Sequence, residues 1–214
     1  MTFRNNILVS ALILLSSFFL LSCEKDDSTV NISSITTYPL ITLKGEEWVV
    51  IPQGGTYTDP GVEATIGDEP VEVVVTNSPD PNTPGVYETT YTATNKEGYS
   101  ASVTRKVGVI SPETAAMDIS GQYKRNAGAG GISTITKLGP GYYQTDNVGG
   151  VAVPGPEVTV RFFHYEGNTL YGPPQDVQGS TFSVIDGTLK PGVSYSWSVI
   201  NSSYGNALRT FVKQ

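Results

Sequence analysis

The chain predicts an all-β protein built from two antiparallel domains in series. Twenty-three glycines and fourteen prolines are spread between Pro39 and Gly205, so turns recur there at short intervals. The runs between them are short, rich in Thr, Val and Tyr, and alternate apolar with polar residues; none sustains a period of 3.6. Residues 23–214 are enough for one or two domains of ~100–200 residues each, and the pattern favours two.

Export is written into the start of the chain. Arg4 precedes an apolar run over residues 7–21, which ends in Leu20-Leu21-Ser22-Cys23. A positive residue, an apolar core of ~7–15 residues and a small residue at the break are the parts of a secretory signal. The run falls short of the ~20 residues that span a bilayer. Cys23 is the sole cysteine, which rules out a disulfide within the chain. Leu20-Leu21-Ser22-Cys23 resembles the lipobox of bacterial lipoproteins, which implies a signal peptide over 1–22 and acylation of Cys23 as the first mature residue. The alternative is a plain secretory signal with an incidental cysteine. Buried methylenes contribute ~0.8 kcal/mol each, so two or three acyl chains hold a protein stably on its membrane where one does not.

Residues 23–38 read as a flexible acidic tether, polar and without a sustained apolar pattern. Within it Lys25-Asp26-Asp27 resembles the signal that sends Bacteroidota lipoproteins to the outer face of the outer membrane; a solvated acidic spacer is the plainer reading. Asp27-Ser28-Thr29 resembles a short O-glycosylation motif of exported proteins from the same phylum.

Residues 39–110 divide into strands at 40–43, 48–51, 62–66 and 71–75, a long alternating strand at 85–94, and a last strand through Ala101, Val103, Val107 and Val109. Gly45, Gln53-Gly54-Gly55, Asp59-Pro60-Gly61, Gly67-Asp68 and Asn95-Lys96-Glu97-Gly98 supply the turns. In the long strand Tyr87, Thr89, Tyr91 and Ala93 share the face expected to be buried. About seven strands in ~75 residues without a cysteine suggest a Greek-key β-sandwich of immunoglobulin type. Ile41-Thr42-Leu43-Lys44-Gly45, Tyr57-Thr58-Asp59-Pro60-Gly61-Val62, Pro84-Gly85-Val86-Tyr87 with Tyr91-Thr92-Ala93, and Thr104-Arg105-Lys106-Val107 resemble, in that order, the bacterial immunoglobulin-like domain of the DUF5011 family. The resemblance implies a stalk or docking module on a surface protein. Asp59 and Asp68 lack the closely spaced oxygen ligands of a Ca²⁺ loop and read as solvated turn acids.

Residues 111–114 contain Pro112 and read as a short inter-domain linker. Residues 115–214 then form the second domain, with strands expected at 121–125, 132–138, 141–145, 157–165, 169–171, 181–185, 188–190, 193–199 and 207–212. Asp186-Gly187 carries a hairpin signal, and Gly128 to Gly131 reads as a flexible hairpin tip. In the strand at 193–199, Val193, Tyr195, Trp197 and Val199 are expected to face inward and Ser194, Ser196 and Ser198 outward. Some eight strands with tight turns give an antiparallel β-sandwich or small barrel. Ile119-Ser120-Gly121-Gln122-Tyr123, Thr136-Lys137-Leu138 with Gly141-Tyr142-Tyr143, and Tyr195-Ser196-Trp197-Ser198-Val199 before Tyr204-Gly205-Asn206 resemble the C-terminal domain grouped as DUF5012. That resemblance implies an auxiliary surface lipoprotein beside Sus-type importers, with a SusC/SusD-like pair as partner.

The charge balance argues against nucleic acid as a partner. The formal charge is −7, with ten acids against four bases over residues 31–110 and six against seven over 115–214, whereas phosphate binding needs a basic face. Catalytic constellations are poorly supplied, and no catalytic residue, metal site or cofactor is assigned. His164 is the one histidine, mid-strand among aromatics, and reads as a hydrogen-bonded structural residue rather than a triad base. A structural zinc site needs about four Cys or His ligands. A glycosidase needs two facing carboxylates, for which Glu157, Glu166, Asp176 and Asp186 are the candidates, each beside a turn signal. Aromatic side chains are the feature best suited to binding a glycan or peptide, since flat faces stack on sugar rings while polar tips hydrogen-bond. Tyr195 and Trp197 read as core. Tyr142, Tyr143, Tyr171 and Tyr204 adjoin Gly or Pro and are the expected ligand or partner contacts. Three functional readings follow: an auxiliary binding or docking component of an importer, a purely structural surface module, and, least supported, a glycan hydrolase.

Overall fold

The computed structural model describes residues 36–128, 130–153 and 158–214. The expected signal peptide, Cys23, Lys25-Asp26-Asp27, the tether up to residue 35 and Glu157 lie outside the described residues.

The first module is a two-sheet sandwich. Strands β1 (Leu40–Leu43), β3 (Val62–Ile66) and β4 (Glu69–Pro70) form one sheet. The other has the order β2 (Trp48–Pro52), β7 (Ser100–Ile110), β6 (Gly85–Thr94), β5 (Val73–Thr76), with β2 parallel to β7 and the remaining pairs antiparallel. Thr89, Tyr91 and Ala93 are buried on the inner face of β6, as their alternation predicts. Its apolar core is small: Ile51, Val107 and Val109, flanked by Val49, Tyr57 and Tyr87.

A module with so little apolar core leans on a polar one. Arg105 is completely buried, and its guanidinium donates to the carbonyls of Lys44 (2.8 Å from Nη2), Gly61 (2.9 Å from Nη2) and Glu46 (3.0 Å from Nη1). Asp59 lies 3.6 Å from Arg105 Nε and accepts from the Tyr91 hydroxyl at 2.5 Å and from Gly61 N at 2.9 Å. Asp59 is exposed at its turn, as expected, but it also has a structural task. It anchors the loops around a buried cation, whose donors must all be satisfied for burial to be tolerable.

Ser111 opens a one-turn helix, α1 (Pro112–Ala116): its side chain accepts from Thr114 N at 3.3 Å, and Pro112 sits where a missing N–H is harmless. The second module follows as eight strands in sequence order: β8 (Gly121–Arg125), β9 (Ile132–Gly139), β10 (Tyr142–Thr145), β11 (Val160–Glu166), β12 (Thr169–Val177), β13 (Ser180–Lys190), β14 (Ser194–Ile200) and β15 (Leu208–Lys213). Each pairs antiparallel with its neighbours in the chain, and β15 returns to β8, closing a barrel. Closure removes both sheet edges, which decides between the barrel and the sandwich. The interior is packed solid with Tyr123, Tyr143, Phe162, Phe182, Leu170, Val184, Tyr195, Trp197, Val199 and Phe211 among others.

Two expected breaks are bulges instead. Asp186-Gly187 does not turn the chain: β13 runs through it, the register shifting between Ile185 and Thr188. Asp186 takes a φ of 53°, and a Cβ on Gly187 would lie 2.3 Å from the Leu170 carbonyl oxygen. Likewise β12 continues past Tyr171 through Gly172-Pro173-Pro174, where a register shift before Gln175 leaves no ladder bond for proline to break. Val193 is 57% exposed in the turn before β14 rather than inward-facing, and Ser194 and Ser198 are buried rather than solvent-facing. Of the glycines near 130, Gly131 is docked rather than free. Gly131 donates to Gly150 O at 3.2 Å, and a Cβ there would stand 2.1 Å from the Val151 carbonyl oxygen.

Candidate functional site

The two modules are joined along β7. Residues 105–110 of this strand are buried on both faces, because alternate side chains enter the sandwich core while Lys106, Gly108 and Ile110 meet the barrel. Gly108 lies against Phe163, whose ring would be 2.5 Å from an added Cβ, and Ile110 packs at Gly141. Trp48 of β2 inserts beside them, its ring 5.8 Å from Tyr142 and 5.6 Å from Phe163, with Tyr142 and Phe163 themselves stacked at 5.2 Å. Lys106, ion-paired with Glu47, stands 5.2 Å from the Trp48 centroid and Arg161 5.9 Å from it. A second tie is the Tyr171 hydroxyl, which donates to Glu88 Oε1 at 2.8 Å. A third is Ser111 N, which donates to Tyr165 O at 2.9 Å.

Above this joint a cleft of about 520 Å³ runs between the first module and the barrel wall. Glu47 and Trp48 line one side; Gln144, Thr159, Arg161, Gln175 and Asp176 line the other. The Gln175 amide is fixed by two bonds of 2.8 Å to the backbone of Arg161, accepting from its N–H and donating to its carbonyl. That arrangement ties the far end of β12 to β11, and the Arg161 side chain is exposed at the cleft. Amide, guanidinium, hydroxyl and carboxylate groups around one aromatic edge are the set that recognises hydroxyls and peptide groups.

The four expected contact tyrosines are not brought together. Tyr142 is half-buried in the joint, and burial raises its pKa. Tyr171 is held by Glu88, and burial together with that carboxylate pushes its hydroxyl up. Tyr143 is completely buried in the barrel, donating to Met117 O at 2.9 Å, with burial pushing its pKa up to about 12. It has no face to offer a ligand, which corrects the expectation. Tyr204 packs edge-on against Phe182 at 5.5 Å at the loop-bearing end of the barrel. The cleft-lining residues that the sequence reading did not single out are Trp48, Gln144, Thr159, Arg161 and Gln175. Their signal was weak, since polar residues in strands usually face solvent, and their convergence depends on where the first module docks.

His164 is fully buried. Its Nε2 lies 2.7 Å from Gly167 O, Nδ1 has no partner, and burial lowers its pKa. Glu166 and Asp186 are exposed near the tight turn between β11 and β12, whereas Asp176 sits at the other end of β12, accepting from Gly179 N at 3.1 Å. With ~3.3 Å per residue along a strand, Asp176 is ~20 Å from the other two, so it forms no facing pair with either.

No curated protein matches the chain. Among solved structures, a lipoprotein from Bacteroides thetaiotaomicron is 25% identical, with 82% of this chain and 100% of that chain covered and a TM-score of 0.37. A structure of the M60 catalytic domain with the CBM51-1 and CBM51-2 domains of ZmpB from Clostridium perfringens is 12% identical, with 85% of this chain and 22% of that chain covered and a TM-score of 0.31. The model of the family described as bacterial surface protein, Ig-like domain, matches residues 41–109, so the first module is similar to the immunoglobulin-like domains of bacterial surface proteins.

Proposed function

We propose that this protein is a lipoprotein on the outer surface of a Gram-negative outer membrane, acting as an auxiliary binding or docking component of a Sus-type importer of glycans or peptides. The observation that carries the proposal is the fixed joint between the modules. Trp48, Tyr142 and Phe163 hold the surface-type immunoglobulin-like domain against the barrel, so that the polar cleft beside Arg161 belongs to both. A mere spacer has no need of a composite cleft. The barrel interior is filled by side chains, so contact is made on its outside and at its loops. The lipobox and Lys25-Asp26-Asp27 support the surface address, and the resemblance of both modules to importer-associated lipoproteins supports the partner.

The test is co-purification of the tagged lipoprotein from outer membranes, with protease treatment of intact cells and a glycan and peptide binding screen of the protein. Recovery of a SusC/SusD-like pair, with cleavage of the protein on intact cells, is the expected result. A protein that is recovered alone and binds no glycan or peptide sinks the importer role, and one cut only after permeabilisation sinks the surface address.

A further inference from the structure

The mouth of the barrel holds two arginines that the joint and the cleft do not use. In the β15–β8 pairing Arg125 stands opposite Phe211, and in the β14–β15 pairing Arg209 stands opposite Trp197. Directly paired residues share a face of the sheet, and Phe211 and Trp197 are core residues of the barrel. Both arginines therefore point inward, at the end of the barrel where residues 126–128, 130–131, 146–153 and 201–207 gather.

Among the described residues neither guanidinium has a carboxylate beside it, and Arg209 lies 5.6 Å from the centre of the Tyr204 ring. Arg209 is 6% exposed, donates to Tyr204 O at 2.5 Å and Ala207 O at 3.0 Å, and keeps a buried Nε without a partner. Arg125 donates to Gly149 O at 3.2 Å. Among the described residues no Asp or Glu pairs with either one. Burial and the neighbouring charge of Arg125 both lower the pKa of Arg209, so the two cations sit together at a cost. The contrast with Arg105 is instructive, since that buried guanidinium is given three carbonyls and a carboxylate. Around the pair is a cavity of about 320 Å³ lined by Gly149, Val151, Ser203 and Tyr204, which is the size of a sugar unit or a chain terminus rather than of a long oligomer.

We infer that the barrel mouth binds a compact oxyanion, a carboxylate or sulfate carried on a sugar or small peptide, between Arg125 and Arg209. Guanidinium forks match such groups with paired hydrogen bonds, and a bound anion would remove the repulsion between the two cations. The inference rests on the proposed binding role only for the carrier; the anion contact itself needs no importer.

The purified full mature chain is titrated by calorimetry with glucuronate, glucose 6-sulfate, an acidic dipeptide, glucose and inorganic sulfate, at low and at physiological salt. At least one organic anion should bind, with affinity falling as salt rises, while glucose gives no heat. Arg125→Gln should weaken that binding at least tenfold with the melting temperature of the unliganded protein retained, and Arg125→Lys should restore part of it. The sugar and peptide arms identify the carrier, and the carboxylate and sulfate arms the group. No binding by any organic anion, equal binding of glucose, or an Arg125→Gln protein that binds as before would overturn the assignment. Binding of inorganic sulfate alone would overturn it as well, marking an adventitious ion only. Loss of the importer partner in co-purification would leave this result standing, so the two proposals fail separately.

Discussion

Arg105 Nε lies 3.6 Å from Asp59 Oδ1, and the Tyr91 hydroxyl donates to the other oxygen of that carboxylate. The four sequence blocks by which the first module resembles a surface immunoglobulin-like domain meet at this point: Lys44 and Gly61 offer carbonyls, Asp59 the charge, Tyr91 the bridge and Arg105 the cation. Arg105→Met should cost about 3 kcal/mol or more, because three carbonyls and a carboxylate lose their donor at once. Asp59→Asn should cost about 1–3 kcal/mol. Denaturant unfolding of the two variants checks the order.

At the joint, Gly108→Val should separate the modules mechanically. The added side chain must displace the Phe163 ring, which is itself wedged between Trp48 and Tyr142, and overpacking of this kind costs about 1–3 kcal/mol. The expected readouts are a broader small-angle scattering profile and new proteolytic cleavage near residues 111–116. Trp48→Ala should act in the same direction by removing the aromatic contact.

His164 sets a pH dependence. Burial lowers the pKa of its imidazole in the folded protein, so as pH falls the unfolded chain takes up the proton first. Its contribution to stability is complete above the unfolded value of ~6.5 and declines below it. Urea midpoints measured at about pH 7.5 and about pH 5.5 should differ more for the natural protein than for His164→Gln.

The tyrosines should separate by role. Tyr143→Phe loses the bond to Met117 O and should cost about 1 kcal/mol of stability without changing any surface contact. Arg161→Ala should leave the melting temperature nearly unchanged and weaken a ligand held in the cleft by about 1 kcal/mol or more. Thermal melts paired with calorimetry on both variants tell the two roles apart.

Local pattern determined much of this protein. The alternation in residues 85–94 named the inner face of β6, with Thr89, Tyr91 and Ala93 buried, and the spacing of turn residues marked most of the short strands, though it missed β4 and split β13 in two. Side-chain period and turn chemistry act over a few residues, so they are legible without a fold. What only the tertiary structure decided was everything set by distant approach. Asp186-Gly187 and Gly172-Pro173-Pro174 have the composition of turns and become bulges, because closing the barrel bends its long strands where a glycine lets a neighbouring strand come near, Leu170 at Gly187 and Arg161 and Val184 at Gly172. Tyr143 follows Gly139-Pro140-Gly141 closely, like a loop residue, and is core, because β15 returns to β8 and wraps the sheet around it. Trp48 and Arg161, far apart in the chain, became neighbours through the docking of β7 on β11. Arg105, Arg125 and Arg209 look alike in a sequence. Their partners come from loops and strands that only folding brings within reach, and those partners make the first a satisfied anchor and leave the other two without a carboxylate among the described residues.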